Sequence, residues 1–277
     1  MSNQDSMTKI RWSFIALYFI ATLLSAFWST PLAISILPIV TVIALFTAVF
    51  LHGIERYNFK NMLIFFLITW VVSHFFEALS IQTGFPFGFY HYEKLAGPRL
   101  FEVPLIIMFA YFAMGYASWS LANILINQGA NPLKSNKLFL VPLIAAFIMV
   151  MWDLCMDPWA STVDSLWVWQ EKGTYFGVPL KNYFGWFLVV YLIYQLFAFY
   201  IAKRDNKNPN NTPFFQSKLF WLEPIGLYAT QAMTQILDAF AVNFAQDIFE
   251  PMALITIFTM LFVSLLALIK VIDSKKL

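Results

Sequence analysis

The stretch Glu77-Ala-Leu-Ser-Ile-Gln-Thr-Gly-Phe-Pro-Phe-Gly-Phe-Tyr-His-Tyr92 joins a carboxylate inside an apolar segment to a loop rich in glycine, proline and aromatic residues. The segment that carries Glu77 reaches the length of about 20 apolar residues that a helix needs to cross a bilayer. An ionisable group at that depth is costly, so a functional role is the first hypothesis for Glu77. The loop that follows cannot be ordinary helix, and irregular backbone at this depth needs protein or a water-filled cavity around it.

The composition extends this interpretation to the whole chain. Of the 277 residues, 60% are hydrophobic and 12% are charged, whereas average soluble domains carry about 25% charged residues. Several apolar runs are long enough to cross a bilayer, and the short alternating segments of a membrane β-barrel do not occur. We therefore predict an all-α fold, a polytopic helical membrane bundle that forms a single domain over residues 1–277.

Eight transmembrane spans are predicted, over residues 12–28, 31–51, 62–82, 104–126, 138–156, 182–202, 216–241 and 251–270. Pro31 and Pro104 lie at span starts, where a missing backbone N–H costs little, and Asn182 is predicted to cap the sixth span. The first apolar run lacks a small-residue cleavage pattern and is predicted to be a retained span. Of the 17 lysines and arginines, all but Lys94, Arg99, Lys172 and Lys181 fall on the side of the N-terminus, which predicts that both termini are cytoplasmic.

The acids inside the spans are the candidate catalytic groups. His74 precedes Glu77 by three residues and shares its helical face. Asp153 and Asp157 are four residues apart at the end of the fifth span, so a persistent helix would direct both carboxylates the same way. Pro158 disfavours helical geometry at Asp157 and predicts the helix end there. Two like charges one turn apart cannot both ionise cheaply, which suits an acid that must hold a proton.

A structural alternative exists for each acid. Glu77 could be a buried carboxylate that a neighbouring helix satisfies, and Asp157 could open a turn with Pro158. The seventh span also carries Gln231, Thr234, Gln235 and Asp238 on one face. This polar stripe is typical of contacts between helices, although Asp238 is also a candidate for catalysis.

Aromatic residues bracket the aspartate pair and predict a site for an extended apolar substrate or a cation. They are Trp152, Trp159, Trp167, Trp169, Tyr175, Phe176 and Trp186. The alternative for any one of them is a position in the interfacial aromatic belt.

Several other chemistries lack their sequence signatures. There is no phosphate-binding loop and no dinucleotide glycine motif, so no nucleotide cofactor is predicted. Cys155 is the single cysteine and has no histidine at readable distance, and the three histidines lie too far apart for a metal site. The net charge of +2 is spread over the loops and does not indicate nucleic acid.

Two segments together resemble the membrane carotenoid hydratase family, whose members are known as γ-carotene 1′,2′-hydratases or bisanhydrobacterioruberin hydratases. The first contains Glu77, Thr83-Gly-Phe-Pro-Phe-Gly-x-Tyr-x-Tyr92, Gly97-Pro98 and Val103-Pro104. The second contains Trp152-Asp-Leu-x-Met-Asp-Pro158, Trp167-x-Trp169 and Tyr175-Phe-Gly-Val-Pro-Leu-x-Asn182-Tyr-Phe-Gly-Trp186. The resemblance covers roughly residues 70–190.

The resemblance implies addition of water to the terminal double bond of an acyclic carotenoid ψ end group, without a redox cofactor. It implies a lipophilic carotenoid that enters from the bilayer, other carotenoid-pathway enzymes as possible partners, and a prokaryotic plasma membrane. The long loops 83–103 and 157–181 carry most of the glycine, proline and aromatic signals and lie away from the basic side, which predicts a site towards the non-cytoplasmic side. From the chemistry we predict Asp153 or Asp157 as the proton donor and Glu77 as the group that orients the water. The second choices are Asp238, His74, His91, Tyr90 and Tyr92.

Three other functions fit parts of the sequence. A carotenoid cyclase would form the same cation and quench it by ring closure. A membrane prenyltransferase would use Asp153-x-x-x-Asp157 as one aspartate-rich motif, but its second, longer motif is missing. A proton-coupled transporter would use Glu77, Asp153 and Asp238 as relay sites, although no internal repeat accompanies them.

Overall fold

Helices make up most of the computed structural model, which describes residues 3–28, 30–94, 97–127, 129, 131–205, 217–241 and 244–274. They are α1 (Asn3–Phe27), α2 (Pro31–Tyr57), α3 (Phe59–Thr83), α4 (Leu105–Ala122), α5 (Lys137–Asp157), α6 (Leu180–Ile201), α7 (Lys218–Ala241), α8 (Gln246–Thr256) and α9 (Phe262–Asp273). Short π-helical turns extend α4 over Asn123–Asn127 and α5 over Pro158–Val163, and a third, Ile257–Leu261, joins α8 to α9. When each π-helical turn is counted with the helices that it extends or joins, the described chain forms eight continuous helical rods. These rods follow the eight predicted spans and confirm the helical bundle.

Seven of the eight rods are long and apolar enough to cross a membrane. Within the described chain they cover Ser6–Phe27, Leu32–Tyr57, Phe59–Thr83, Leu105–Asn127, Lys137–Val163, Leu180–Ile201 and Gln246–Asp273. The remaining rod, α7, has a polar face, and Glu223, Gln235 and Asp238 on this helix are buried. It packs against α1, α4, α8 and α9, so neighbouring helices surround polar groups that hydrocarbon would not tolerate.

The helix ends test the predictions made from proline and asparagine. Pro31 is the first residue of α2, and the Thr30 hydroxyl caps that helix by accepting from Ala33 N at 3.3 Å. Pro104 directly precedes α4. The prediction that Asn182 caps α6 is wrong, because that helix begins at Leu180 after Pro179. The Asn182 side chain is turned into the bundle instead, where it bonds carboxylates.

The end of α5 keeps the aspartate pair on one face. Asp157 is the last residue of α5, as predicted, and has helical dihedral angles of φ −62 and ψ −41. The chain continues beyond Pro158 as a π-helical turn instead of leaving in a loop. Helical geometry therefore persists from Asp153 to Asp157 in spite of the proline.

The two loops that hold the glycine, proline and aromatic signals form one cap. Their strands are β1 (Tyr90–Tyr92), β2 (Arg99–Leu100), β3 (Val103–Pro104) and β4 (Trp167–Trp169). Antiparallel β1 and β4 join the two loops, with Tyr90 opposite Trp169 and Tyr92 opposite Trp167. The loop turns back after α3 because Gly84 takes a left-handed φ of 73.

Charged residues near the other end of the bundle are buried in pairs. Arg11 of α1 binds Glu223 of α7 through two hydrogen bonds of 2.5 and 3.0 Å. Arg56, at the end of α2, binds Asp205 at 2.8 Å. We refer to these four residues as the paired end, because each buried charge meets an opposite charge there.

Candidate active site

Glu77 is buried near the end of α3 and accepts hydrogen bonds from three tyrosines. Its Oε2 atom accepts from the hydroxyls of Tyr90 and Tyr92, the latter at 2.8 Å, and its Oε1 atom accepts from Tyr111 at 2.6 Å. An ionised carboxylate only accepts, and three donors satisfy it well. Burial, and next the charge of Glu77, raise the pKa of Tyr90 and of Tyr92 well above the usual value, so both phenols stay neutral donors.

The strand alternation of β1 selects which side chains reach Glu77. Tyr90 and Tyr92 point inwards and are buried, whereas His91 between them points outwards. Successive residues of a strand face opposite sides, which explains the pattern. Tyr111 comes from α4, and its ring stacks on Trp186 of α6 at 4.4 Å and 6°.

Asp153 and Asp157 share a single amide group. Asn182 Nδ2 donates to Asp157 Oδ2 at 2.6 Å and to Asp153 Oδ2 at 3.1 Å. Asp157 Oδ1 also accepts from Trp167 Nε1 at 2.9 Å. Both carboxyls are almost completely buried, and two such groups side by side cannot both ionise cheaply.

No positive charge offsets these three acids within the described part of the chain. The ion pairs there are Arg11 with Glu223, Arg56 with Asp205, and the exposed pair His91 and Glu93. The partners of Glu77, Asp153 and Asp157 are instead hydroxyl, amide and indole groups. A carboxyl group in such surroundings can exchange a proton without breaking an ion pair.

A cavity is lined by the carboxylates and by the cap, and its empty space is about 450 Å³ when the open solvent at its mouth is counted. Most of its wall is aromatic or aliphatic, and the ionisable carboxyls in it are Glu77 and Asp157. The lining residues are Glu77, Phe87, Tyr90, Tyr92, Ile107, Ala110, Tyr111, Trp152, Met156, Asp157, Trp167, Trp169, Asn182 and Trp186. An apolar chamber with a few convergent polar groups is typical of a small-molecule site.

The structure brings most of the residues predicted from sequence into this cavity. Eight of them line it: Glu77, Asp157, Tyr90, Tyr92, Trp152, Trp167, Trp169 and Trp186. Asp153 does not line the cavity, but it accepts from the Asn182 amide in the cavity wall. Tyr175 and five other predicted residues do not line the cavity; the five are His74, Asp238, His91, Trp159 and Phe176.

For three of these five residues the structure shows other neighbours or exposure to solvent. His74 is buried, and its ring lies 6.3 Å from that of Phe101. The charged group that acts on Asp238 is Asp164, a residue whose pKa is raised by burial and lowered by Lys94. His91 is more than half exposed. Asp238, on the polar face of α7, therefore lies outside the cavity wall that holds Glu77.

Two residues of the site carry roles that sequence reasoning missed. Asn182 belongs to the second quoted motif, but its bridging role required knowing that α6 faces α5. Tyr111 has no sequence signal, because it lies inside an ordinary apolar helix. Phe87, Ile107, Ala110 and Met156 complete the wall and were likewise missed.

Comparisons with known proteins give two matches. A family model described as "Carotenoid biosynthesis protein" matches residues 37–263, a range that contains every residue of the cavity. Bisanhydrobacterioruberin hydratase from Haloarcula japonica is 30% identical over 128 residues, which are 46% of this chain and 41% of that protein. The chain therefore matches less than half the length of this curated relative. No solved structure matches the chain.

Proposed function

Because the chain belongs to the carotenoid biosynthesis protein family, we propose that it is a carotenoid hydratase. It adds water to the terminal double bond of an acyclic ψ end group and gives a tertiary alcohol. The observation that carries this proposal is the aromatic cavity with Glu77 and Asp157 in its wall, both bonded to neutral donors. The partial match to a bisanhydrobacterioruberin hydratase supports the same chemistry.

The first step is proton transfer from the aspartate pair to the alkene. Asp157 is the donor, because it lines the cavity whereas Asp153 does not. The pair of electrons in the double bond forms the new C–H bond at the less substituted carbon, and a tertiary carbocation remains at the other. Asp153 acts as a positioning residue that keeps a proton on the pair, since both carboxyls cannot ionise cheaply.

The aromatic wall stabilises the cation and excludes bulk water. Trp186, Trp152 and Trp169 present ring faces or edges to the cavity, and an aromatic face attracts a nearby cation. Tyr111 holds Trp186 by stacking, so the rings are in place before the charge forms. Preorganised groups of this kind stabilise a transition state without reorganising during the reaction.

The second step is capture of the cation by water. A lone pair of the water forms the C–O bond, and the protonated alcohol loses its proton to the Glu77 carboxylate. Glu77 suits a base because three hydroxyls hold it as an acceptor. The proton on Glu77 then returns to the aspartate pair, which restores the starting state, so the net reaction is alkene plus water to alcohol.

The aspartate bridge favours hydration over diphosphate chemistry. A prenyltransferase would use Asp153 and Asp157 to hold magnesium with a diphosphate. The Asn182 amide donates to both carboxyls and so occupies the space between them where a cation would sit.

The chain's polyene substrate enters from the bilayer, and the active site faces the non-cytoplasmic side of the membrane, as the lysine and arginine distribution predicts.

The proposal is tested by expressing the chain in bacteria that make lycopene or γ-carotene and analysing pigments by liquid chromatography and mass spectrometry. We expect a more polar pigment that is heavier by one water and carries the label when cells grow in heavy-oxygen water. A pigment of unchanged mass would instead establish a cyclase. Unchanged pigments in this host and in one making a C50 precursor, with the protein verified in the membrane, would reject the hydratase.

A further inference from the structure

Two buried indole N–H groups in the cavity wall have no acceptor among the residues that the structure describes. They are the Nε1 atoms of Trp152 and Trp169, whose side chains belong to residues only 8% and 7% exposed. Trp167 in the same wall donates to Asp157, and Trp119 in the bundle core donates to Tyr57 at 3.0 Å. A buried indole N–H ordinarily finds a partner, so Trp152 and Trp169 differ from their neighbours.

We propose that these two indole groups form an oxygen-binding site, which holds the attacking water before the reaction and the alcohol oxygen after it. This deepens the proposed function and rests on it. An N–H group donates and requires an acceptor, and a polyene hydrocarbon has none. Water and a tertiary hydroxyl are the acceptors that the proposed reaction brings into the cavity.

The two donors approach the cavity from different elements. Trp152 precedes Asp153 on α5, and its ring meets Trp186 edge-on at 5.9 Å. Trp169 lies on β4 opposite Tyr90, with ring centres 5.0 Å apart. The Trp169 indole lies next to the Asp157 carboxyl as a hydrogen-bonding neighbour, although its Nε1 lies outside strict hydrogen-bond geometry with any acceptor in the described chain. An oxygen bound to Trp169 therefore lies beside the proton donor.

The tyrosine and asparagine donors in the wall are already engaged. The hydroxyls of Tyr90, Tyr92 and Tyr111 bond Glu77, and the amide of Asn182 bonds both aspartates. The indoles of Trp152 and Trp169 are thus buried donors that an oxygen in the cavity can satisfy. A water that accepts one N–H and donates one hydrogen to Glu77 keeps its second lone pair for the C–O bond.

The site also determines the outcome of the carbocation. A cation with no water held beside it loses a proton or closes a ring, and the product then has the mass of the substrate. The alcohol oxygen has two lone pairs and can accept from either indole, so the product binds more tightly than the alkene.

The first test replaces each indole by a ring without the N–H group. Trp152→Phe and Trp169→Phe keep an aromatic wall, and we expect the ratio of hydrated to isomeric pigment to fall about five- to tenfold in each. Trp119→Phe is the matched control, because its N–H bonds Tyr57 away from the cavity and its loss leaves the ratio unchanged. Wild-type ratios in both cavity variants would overturn the oxygen site while the hydratase stands.

The second test measures binding and does not depend on turnover. Purified protein in nanodiscs is titrated with lycopene and with 1-hydroxy-1,2-dihydrolycopene, and quenching of tryptophan fluorescence reports the affinity. We expect the alcohol to bind about tenfold more tightly, with most of that preference lost in Trp169→Phe. Equal affinities in the wild type would overturn the oxygen site. Preference for the alcohol without any hydrated pigment would keep the site and reject the proposed function.

Discussion

The two ends of the bundle bury carboxyl groups in opposite ways. At the paired end, Glu223 and Asp205 each meet an arginine and lie with side chains 1% and 4% exposed. At the cavity end, Glu77, Asp153 and Asp157 are equally buried but meet tyrosine, asparagine and tryptophan. Burial alone therefore does not separate the two groups, whereas the kind of partner does.

The partner decides what each carboxyl can do. An arginine fixes the carboxylate in its ionised form and ties two helices together, and removing either member leaves a buried charge unpaired. Neutral donors orient a carboxyl but leave it free to gain or lose a proton. The paired end thus serves the fold, and the cavity end is equipped for proton transfer.

The largest effect is expected from Asp157→Asn, which tests whether the cavity end serves proton transfer. Hydrated pigment per unit of membrane protein should fall about 10²- to 10⁴-fold, because an amide cannot deliver the proton. Asp153→Asn should also remove most of the activity. The thermal midpoint should fall less than in a variant that breaks a buried ion pair, because the amide costs one of the two donors to Asp157 its acceptor. Turnover like the wild type in both variants would exclude the aspartate pair from the mechanism.

Glu223→Gln tests the paired end and should give the reverse pattern. It leaves the Arg11 guanidinium buried without its carboxylate, which is expected to cost about 3–5 kcal/mol of stability. Turnover per folded molecule should stay within about twofold, since the site is distant. The thermal midpoint in detergent and pigment yield per folded protein are measured together.

Glu250→Gln is the matched control for that prediction, because Glu250 is exposed and its replacement should leave the midpoint unchanged. A Glu223→Gln protein that is stable but inactive would contradict the assignment of the paired end to stability and of the cavity end to proton transfer.

The smallest effect is expected from Tyr111→Phe, which removes one of three hydroxyls from Glu77 and keeps the stacking on Trp186. Initial hydration rates in membranes should fall about tenfold, because hydrogen bonds to a charged group are stronger than average. His91→Ala is the control, taken from the strand that supplies the other two hydroxyls, and its rate should match the wild type because the imidazole is exposed. Equal losses in both variants would mean that the hydroxyl of Tyr111 has no special role.

Sequence reasoning found what depends on local pattern and missed what depends on tertiary contact. Hydropathy predicted the rods, and a spacing of four residues predicted the shared face of Asp153 and Asp157. The position of Glu77 before a loop predicted a site, but not the three hydroxyls around it. The bond between Arg11 and Glu223 joins residues 212 positions apart, and no local signal marks such a pair.

Asn182 shows the limit most clearly. Its place near a helix start made an N-cap the natural prediction, since asparagine is favoured there. Pro179 before it sets an earlier helix start, with Leu180 as the first residue of α6. Only the packing of α6 against α5 turns the side chain into a bridge between acids.

Because β1 is paired with β4, the register of β1 decides which of its side chains face Glu77. Tyr90 and Tyr92 face Glu77 because they occupy even steps along a three-residue ladder, with His91 on the odd step. A shift by one residue would exchange both phenols for an imidazole, because a strand reverses its faces at every step. A shift by two would restore one phenol. The effect of an insertion or deletion within this strand therefore depends on its length. A change by an odd number of residues replaces the phenols that face Glu77, whereas a change by two keeps one of them.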